Sequence, residues 1–131
     1  MMYHFIAYSL LDNRRHHEDI MKILTVKMFG RTDDLSDFVE IKLSDIKYID
    51  LWSPTEHSSK VPAYHTSNGS YLALSTIKDI SQAYAKYGFE SFDKSTVINK
   101  KKIKSLIPIN NGTKVVFTDD TYVNVRKKFF R

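Results

Sequence analysis

The sequence predicts a mainly β fold, α+β by count, with antiparallel pairing around one central helix. Three observations carry that prediction. Short runs rich in β-branched and aromatic residues recur along the chain, separated by turns of two to four residues, and such short connections join antiparallel neighbours. Two Asn-Gly pairs, Asn68-Gly69 and Asn111-Gly112, stand between such runs as hairpin turns. Only one segment, after Ser75-Thr76, has both a helical apolar stripe and a stop signal.

The elements follow in order. Tyr3 to Leu11 reads as a strand or as the first turns of a helix, and Asp12 or Asn13 as a cap for a short helix through Arg14-Arg15-His16-His17-Glu18-Asp19-Ile20-Met21. Ile23 to Met28 has the apolar content of a strand, and Gly30 with Thr32-Asp33-Asp34 marks a loop. Phe38 to Leu43 alternates, with Phe38, Glu40 and Lys42 on one face and Val39, Ile41 and Leu43 on the other. Ile46 to Trp52 is a further strand with Tyr48 and Asp50 sharing a face, and Ser53 to Lys60 is an exposed loop.

Val61 to Thr66 and Tyr71 to Leu74 form a hairpin around Ser67-Asn68-Gly69-Ser70, where both residues of the Asn-Gly pair accept positive φ. Ser75-Thr76 caps a helix from Ile77 to Tyr87, with Ile77, Ile80 and Tyr84 on its apolar stripe and Gly88 ending it. Ser95 to Ile98 is a β-branched strand that ends at Asn99, a residue suited to bond its own backbone in a turn. Ile103 to Pro108, the turn at Asn110-Asn111-Gly112, the strand Lys114 to Thr118, the turn at Asp119-Asp120 and the strand from Thr121 through Val125 complete the chain.

The composition excludes several classes. The 131 residues, 42% hydrophobic and 27% charged, suit one soluble domain without a linker or internal repeat. No apolar run approaches the ~20 residues of a membrane span, and Arg14-Arg15 follows the first apolar stretch rather than leading it, the wrong order for a secretory signal. Without cysteine there is no disulfide, thiolate metal site or cysteine nucleophile, and a cytoplasmic location is expected. No cofactor is implied. Adjacent His16-His17-Glu18 do not face one metal site on a helix, and His57 beside Glu56 and Ser58 has no third group to orient it, so the chain is not expected to be an enzyme.

Charge is uneven along the chain. From Asp93 to Arg131 there are ten Lys/Arg against three Asp, a balance of +7, whereas residues 1–92 hold ten against twelve, or −2; together they give the net +5. Such a basic end fits a polyanion partner or a solvated lysine-rich surface. Lys100-Lys101-Lys102 follow directly on the strand that ends at Asn99, at the mouth of a rigid scaffold, a placement suited to phosphate.

In this order the motifs resemble the LytTR DNA-binding domain of bacterial transcription regulators, over about residues 22–130. Ile41-Lys42-Leu43-Ser44-Asp45-Ile46-Lys47-Tyr48-Ile49-Asp50 resembles the family's opening strand pair, and Thr66-Ser67-Asn68-Gly69-Ser70-Tyr71 its hairpin. Ser75-Thr76-Ile77-Lys78-Asp79-Ile80 resembles the start of its helix. Phe89-Glu90-Ser91-Phe92-Asp93-Lys94-Ser95-Thr96-Val97-Ile98-Asn99 resembles its signature, followed by Ile103, and Val123-Asn124-Val125-Arg126-Lys127 its close. This chain departs from the signature at Ser91, where the family has arginine, and at Asp93-Lys94, where it has histidine-arginine. Its loop from Ser53 to Lys60 is longer by a few residues.

The resemblance implies an elongated fold that reads duplex DNA with loops rather than a recognition helix. Carried over residue by residue, it implies Lys60 or His57 after Trp52, Lys94 with Ser91 beside it, and Arg126 with Lys127 nearby. Lys100, Lys101 and Lys127 are cast as phosphate contacts, which position without reading sequence. Residues 1–21 form an N-terminal extension and 22–131 the LytTR-like domain. The partner expected is promoter DNA with paired repeats. A homodimer on DNA and a separate sensor or regulator protein stand open, since the regulators usually carry a receiver or sensor domain for which this chain has no room. Two rival classes remain: an interaction module or inhibitor that binds a partner regulator and not DNA, and a single-strand or RNA binder using some of the 17 aromatics.

Overall fold

A computed structural model of the chain describes residues 21–129. Seven strands form one sheet: β1 (Lys22–Lys27), β2 (Phe38–Lys42), β3 (Ile46–Trp52), β4 (Val61–Thr66), β5 (Gly69–Leu72), β6 (Phe89–Asp93) and β7 (Thr96–Asn99), in the order β2-β1-β5-β4-β3-β7-β6. A second sheet holds β8 (Ile103–Ile109), β9 (Gly112–Phe117) and β10 (Tyr122–Val125), with β9 central. Every pairing is antiparallel. The helix α1 (Ile77–Ala83) and the small sheet lie on opposite faces of the large sheet.

That layering follows from the strand patterns. On the helix side, Ile49, Tyr64, Val97 and Phe89 pack with Leu43, Ile46, Ile80 and Tyr87. On the other side, Ile98 and Phe92 pack with Val115, Phe117 and Val125, and Tyr48 stacks parallel on Phe117 at 5.5 Å. All four residues of β7 are buried, because both of its faces are covered; this is why Thr96-Val97-Ile98-Asn99 lacks the polar alternation of a one-sided strand. Asn99 ends it from inside: Nδ2 donates to the Ile46 carbonyl at 2.9 Å and Oδ1 accepts from the Lys101 amide at 3.2 Å. The asparagine therefore serves the turn, as its residue type suggests, and also holds β7 to β3.

Three local differences from the sequence expectation have physical causes. The helix is shorter than Ile77–Tyr87: after Ala83 the backbone tightens into a 3₁₀ turn, Ala85–Tyr87, before Gly88 stops it at φ 97°. Tightening of the last turn lets orphan carbonyls find partners, here Ala85 with the Gly88 amide. In the β4–β5 hairpin only Gly69 has positive φ (139°), and the strand begins at Gly69 rather than Tyr71. Thr66 makes the tight connection, its hydroxyl accepting from the Asn68 amide at 3.0 Å and donating to the Gly69 carbonyl at 2.8 Å. Finally, Phe89–Asp93 is a strand that propensity did not announce. It pairs with β7, and its two phenylalanines, three apart, serve opposite faces and so opposite cores.

Buried polar groups are paired. Lys47, 8% exposed, meets Asp119 at 3.0 Å and the Thr121 hydroxyl at 2.9 Å, tying β3 to the small sheet. His65 spans Ser70 (2.7 Å from Nδ1) and Asp50 (2.7 Å from Nε2) and stacks on Tyr48, joining three strands. Phe129 packs edge-on against Phe92 at 5.0 Å, returning the end of the described chain to β6. The Tyr3–Leu11 and Arg14–Met21 readings, His16-His17-Glu18 and Phe130 lie outside the described residues, apart from Met21.

Candidate nucleic-acid interface

Strand register brings three connections to one end of the large sheet. In β3 and β7, Tyr48 faces Ile98 and Asp50 faces Thr96, so continuing the register brings Trp52 level with Lys94 in the β6–β7 turn. Trp52 also pairs with Val61, closing the β3–β4 loop of residues 53–60 at that same end. The helix starts there too, since β5 leads into it where the Ala73 amide donates to the Pro62 carbonyl (2.8 Å). Across β4, β3, β7 and β6 the row spans three strand spacings, roughly 14 Å.

Each connection is shaped locally. In the β3–β4 loop, the Ser53 hydroxyl donates to the Thr55 carbonyl (2.8 Å), and the Ser58 amide donates to that same carbonyl (3.3 Å). That turn leaves His57 and Lys60 exposed. Trp52 supports its base, edge-on to Phe29 at 6.0 Å. In the β6–β7 turn, Asp93 Oδ1 accepts from the Ser95 amide at 3.0 Å, while Lys94 and Ser91 face solvent.

The third connection is the exit of β10. Its ladder ends at Val125, opposite Thr113, and Arg126 is the next residue. The Arg126 amide donates to Asp93 Oδ2 at 2.9 Å, the Lys127 amide to the Phe92 carbonyl at 3.0 Å, and the Thr113 hydroxyl to the Lys127 carbonyl at 2.7 Å. Burial pushes the Asp93 carboxyl up, but the amides of Arg126 and Ser95 and the hydroxyls of Thr96 and Ser95 outweigh it and hold it below the usual carboxylate range. The acid therefore stays charged at neutral pH with both oxygens engaged by the protein.

Of the residues picked out from sequence, Lys60, His57, Ser91, Lys94 and Arg126 share this end. Lys100 and Lys101 do not: they follow Asn99 at the opposite end of β7, where the Lys100 amide donates to the Gly88 carbonyl at 3.0 Å. Lys100 and Lys127 converge on Glu90, at 3.0 and 2.6 Å, and Lys127 and then Lys100 hold that carboxyl below its ordinary range. Lys127 also lies over Phe92 and Phe129, 5.2 and 5.1 Å from the ring centres, so its ammonium is turned back onto the domain.

Two features were not picked out from sequence. Lys128, exposed, lines a cleft of about 490 Å³ with Arg126, Asn124, Asn111, Val125 and Ile109, where the β8–β9 turn meets the β10 exit. Lys78 of α1 lines a second cleft, about 460 Å³, with Ser81, Ile77, Phe92, Asp93, Lys94 and Ser91. Lys128 was legible as the third member of a basic run; Lys78 was not, because its nearness to Lys94 is purely tertiary. Arrayed cations with amide-bearing side chains suit phosphate and base-edge acceptors.

Comparison with known proteins agrees with this architecture. The LytTr DNA-binding domain family matches residues 36–131. Among solved structures, the LytTr DNA-binding domain of a protein described as a methyl-accepting/DNA response regulator from Bacillus cereus is similar at a TM-score of 0.61 and 13% identity, over 80% of this chain and 85% of that one. No curated protein matches the sequence.

Proposed function

This chain belongs to the LytTr DNA-binding domain family, and from that premise we propose that it is a sequence-specific transcription regulator that reads duplex DNA with loops. The observation that carries the reading is the gathering of the β3–β4 loop, the β6–β7 turn and the β10 exit at one end of the sheet, each with an exposed basic residue.

In this reading Lys60 or His57, Lys94 beside Ser91, and Arg126 approach base edges. A bidentate arginine contact to guanine O6 and N7 discriminates by roughly 1–3 kcal/mol. Lys128 follows Arg126 as a phosphate contact, Lys127 joins it only by leaving Glu90, and Lys100 and Lys101, a strand's length away, meet only flanking phosphate. The work is recognition without catalysis, and the place of action is the bacterial cytoplasm. Two copies on paired repeats, and control by a separate sensor or regulator protein, complete the proposal. Among the described residues no helix is long and apolar enough to cross a membrane.

Selection from a random duplex library at two salt concentrations tests it. The expected result is an enriched motif, two short repeats about one helical turn (~10 base pairs) apart. Retention that falls with salt but enriches no motif would reduce the protein to a basic surface, and the partner-binding module would replace this reading. Preference for single strands would favour the single-strand class instead.

A further inference from the structure

We propose that Asp93 is a positioning residue for base recognition: its carboxylate fastens the exit of β10 to the β6–β7 turn, so that Arg126 and Lys94 approach the duplex as one unit. This inference rests on the DNA-reading proposal above. An acid between Lys94 and Arg126, at the end of the molecule meant for phosphate, looks at first like a repulsive charge. The geometry points elsewhere.

Arg126 lies one residue past the last ladder pair of β10, Val125 with Thr113. The ladder with β9 stops at that pair, and the Arg126 amide turns instead to a side chain of the β6–β7 turn. Asp93 Oδ2 supplies that partner at 2.9 Å, and Oδ1 takes the Ser95 amide at 3.0 Å and the Ser95 hydroxyl at 3.4 Å. One rigid carboxylate thus spans the two segments that carry the two cations. Hydrogen bonds to an ionised acceptor are the stronger kind.

The neighbouring contacts reinforce the same point. The Lys127 amide is fixed on the Phe92 carbonyl, and the close approach of Gly112 to Val125 and Arg126 leaves the exit no slack on its other side. A recognition contact must be held within about 0.5 Å and 10–20° to stay productive. The amide nitrogen of Arg126 is bonded to the Cα that carries its side chain, so releasing it frees the guanidinium's aim.

The test uses the full chain, with Asp93→Asn and Asp93→Glu. The probes are the duplex enriched by the wild-type protein and a scrambled duplex of equal composition. Asp93→Asn replaces one acceptor oxygen with a donor that faces a backbone N–H. It is expected to weaken binding to the enriched duplex roughly tenfold, the size of one lost base contact, with no loss on the scrambled duplex. Selection should show relaxed preference at the base pair that Arg126→Ala also relaxes. In an Arg126→Ala background Asp93→Asn should add no further loss of preference at that base pair. Asp93→Glu keeps the charge but moves the acceptor, and should fall between.

Tighter binding by Asp93→Asn to both duplexes alike would overturn the proposal in favour of simple charge repulsion. So would an Asp93→Glu protein indistinguishable from wild type, or an equal loss in both backgrounds. A wild-type protein that enriches no motif would overturn the DNA-reading proposal and this inference together. An enriched motif that Asp93→Asn leaves untouched would overturn this inference alone.

Discussion

Gly112→Ala is expected to destabilise the domain and loosen its base preference in one stroke. A Cβ at this position would sit 1.8 Å from the Val125 carbonyl oxygen and 2.9 Å from both Val125 C and Arg126 Cα. Those are backbone atoms, so no side chain can rotate away to make room. Reaching an ordinary contact near ~3.5 Å means prising the start of β9 from the end of β10 by on the order of 1–2 Å. Overpacking of this kind costs roughly 1–3 kcal/mol, and weakening the Thr113–Lys127 or Asp93–Arg126 hydrogen bond adds about 1 kcal/mol.

The sum, about 2–4 kcal/mol, corresponds to a fall in Tm of roughly 7–14 °C at the unfolding entropy of a chain of 131 residues. Circular dichroism melts measure it directly. Affinity for the selected duplex, measured well below the melting range, should fall as the Arg126 backbone shifts. A melting temperature within about 1 °C of wild type, with base preference intact, would refute the reasoning, because strand ends in such close contact cannot absorb a methyl group freely.

Three further outcomes are expected. Arg126→Ala should relax preference at one base position and cost roughly 1–3 kcal/mol on the specific duplex, read by competition binding; an unchanged footprint removes it from the reading set. Lys128→Ala should weaken binding to all sequences alike and flatten the salt slope by about one, while Lys101→Ala, at the far end of β7, should change the slope less; the reverse ranking would put the phosphate track elsewhere. Asp119 contributes to acid behaviour: burial raises its carboxyl, but the Thr121 and Ser67 hydroxyls and the Lys47 ammonium hold it well below the usual range. Because the folded value is depressed, its contribution is complete above the unfolded carboxylate value near ~4 and is lost as pH falls through the folded value. Urea unfolding from neutral to acid pH should therefore show Asp119→Asn weaker at pH 7 and flatter below about 4; parallel curves for the two proteins would contradict the assignment.

What was legible in the sequence was what local physics controls. Alternation in Phe38 to Leu43, the Thr76 cap and the stop at Gly88 come from short-range sterics and hydrogen bonding, and each appears in the fold. Where tertiary packing dominates, the sequence was quieter. Phe89–Asp93 has little strand propensity and is made a strand by pairing with β7. The Asn68-Gly69 turn takes its geometry from Thr66 as well as from Gly69, the one residue of the pair at positive φ.

The candidate site divides the same way. The sequence offered Lys60, Lys94 and Arg126 as separate points, and only register brings them to one end. Nothing in the order of residues says that Lys127 folds back onto Glu90, or that Asp93 points its oxygens inward at Ser95 and Arg126.

The central claim is that one end of the sheet meets the DNA. Backbone amide chemical shifts, followed by NMR as the enriched duplex is titrated into the full chain, test it most directly. The account predicts changes grouped at residues 56–60, 93–95 and 126–128, with little at Ser67, Asn68, Gly88, Asp119 and Asp120 on the opposite end. Changes centred on that opposite end, or on the outer strand β2, would contradict it.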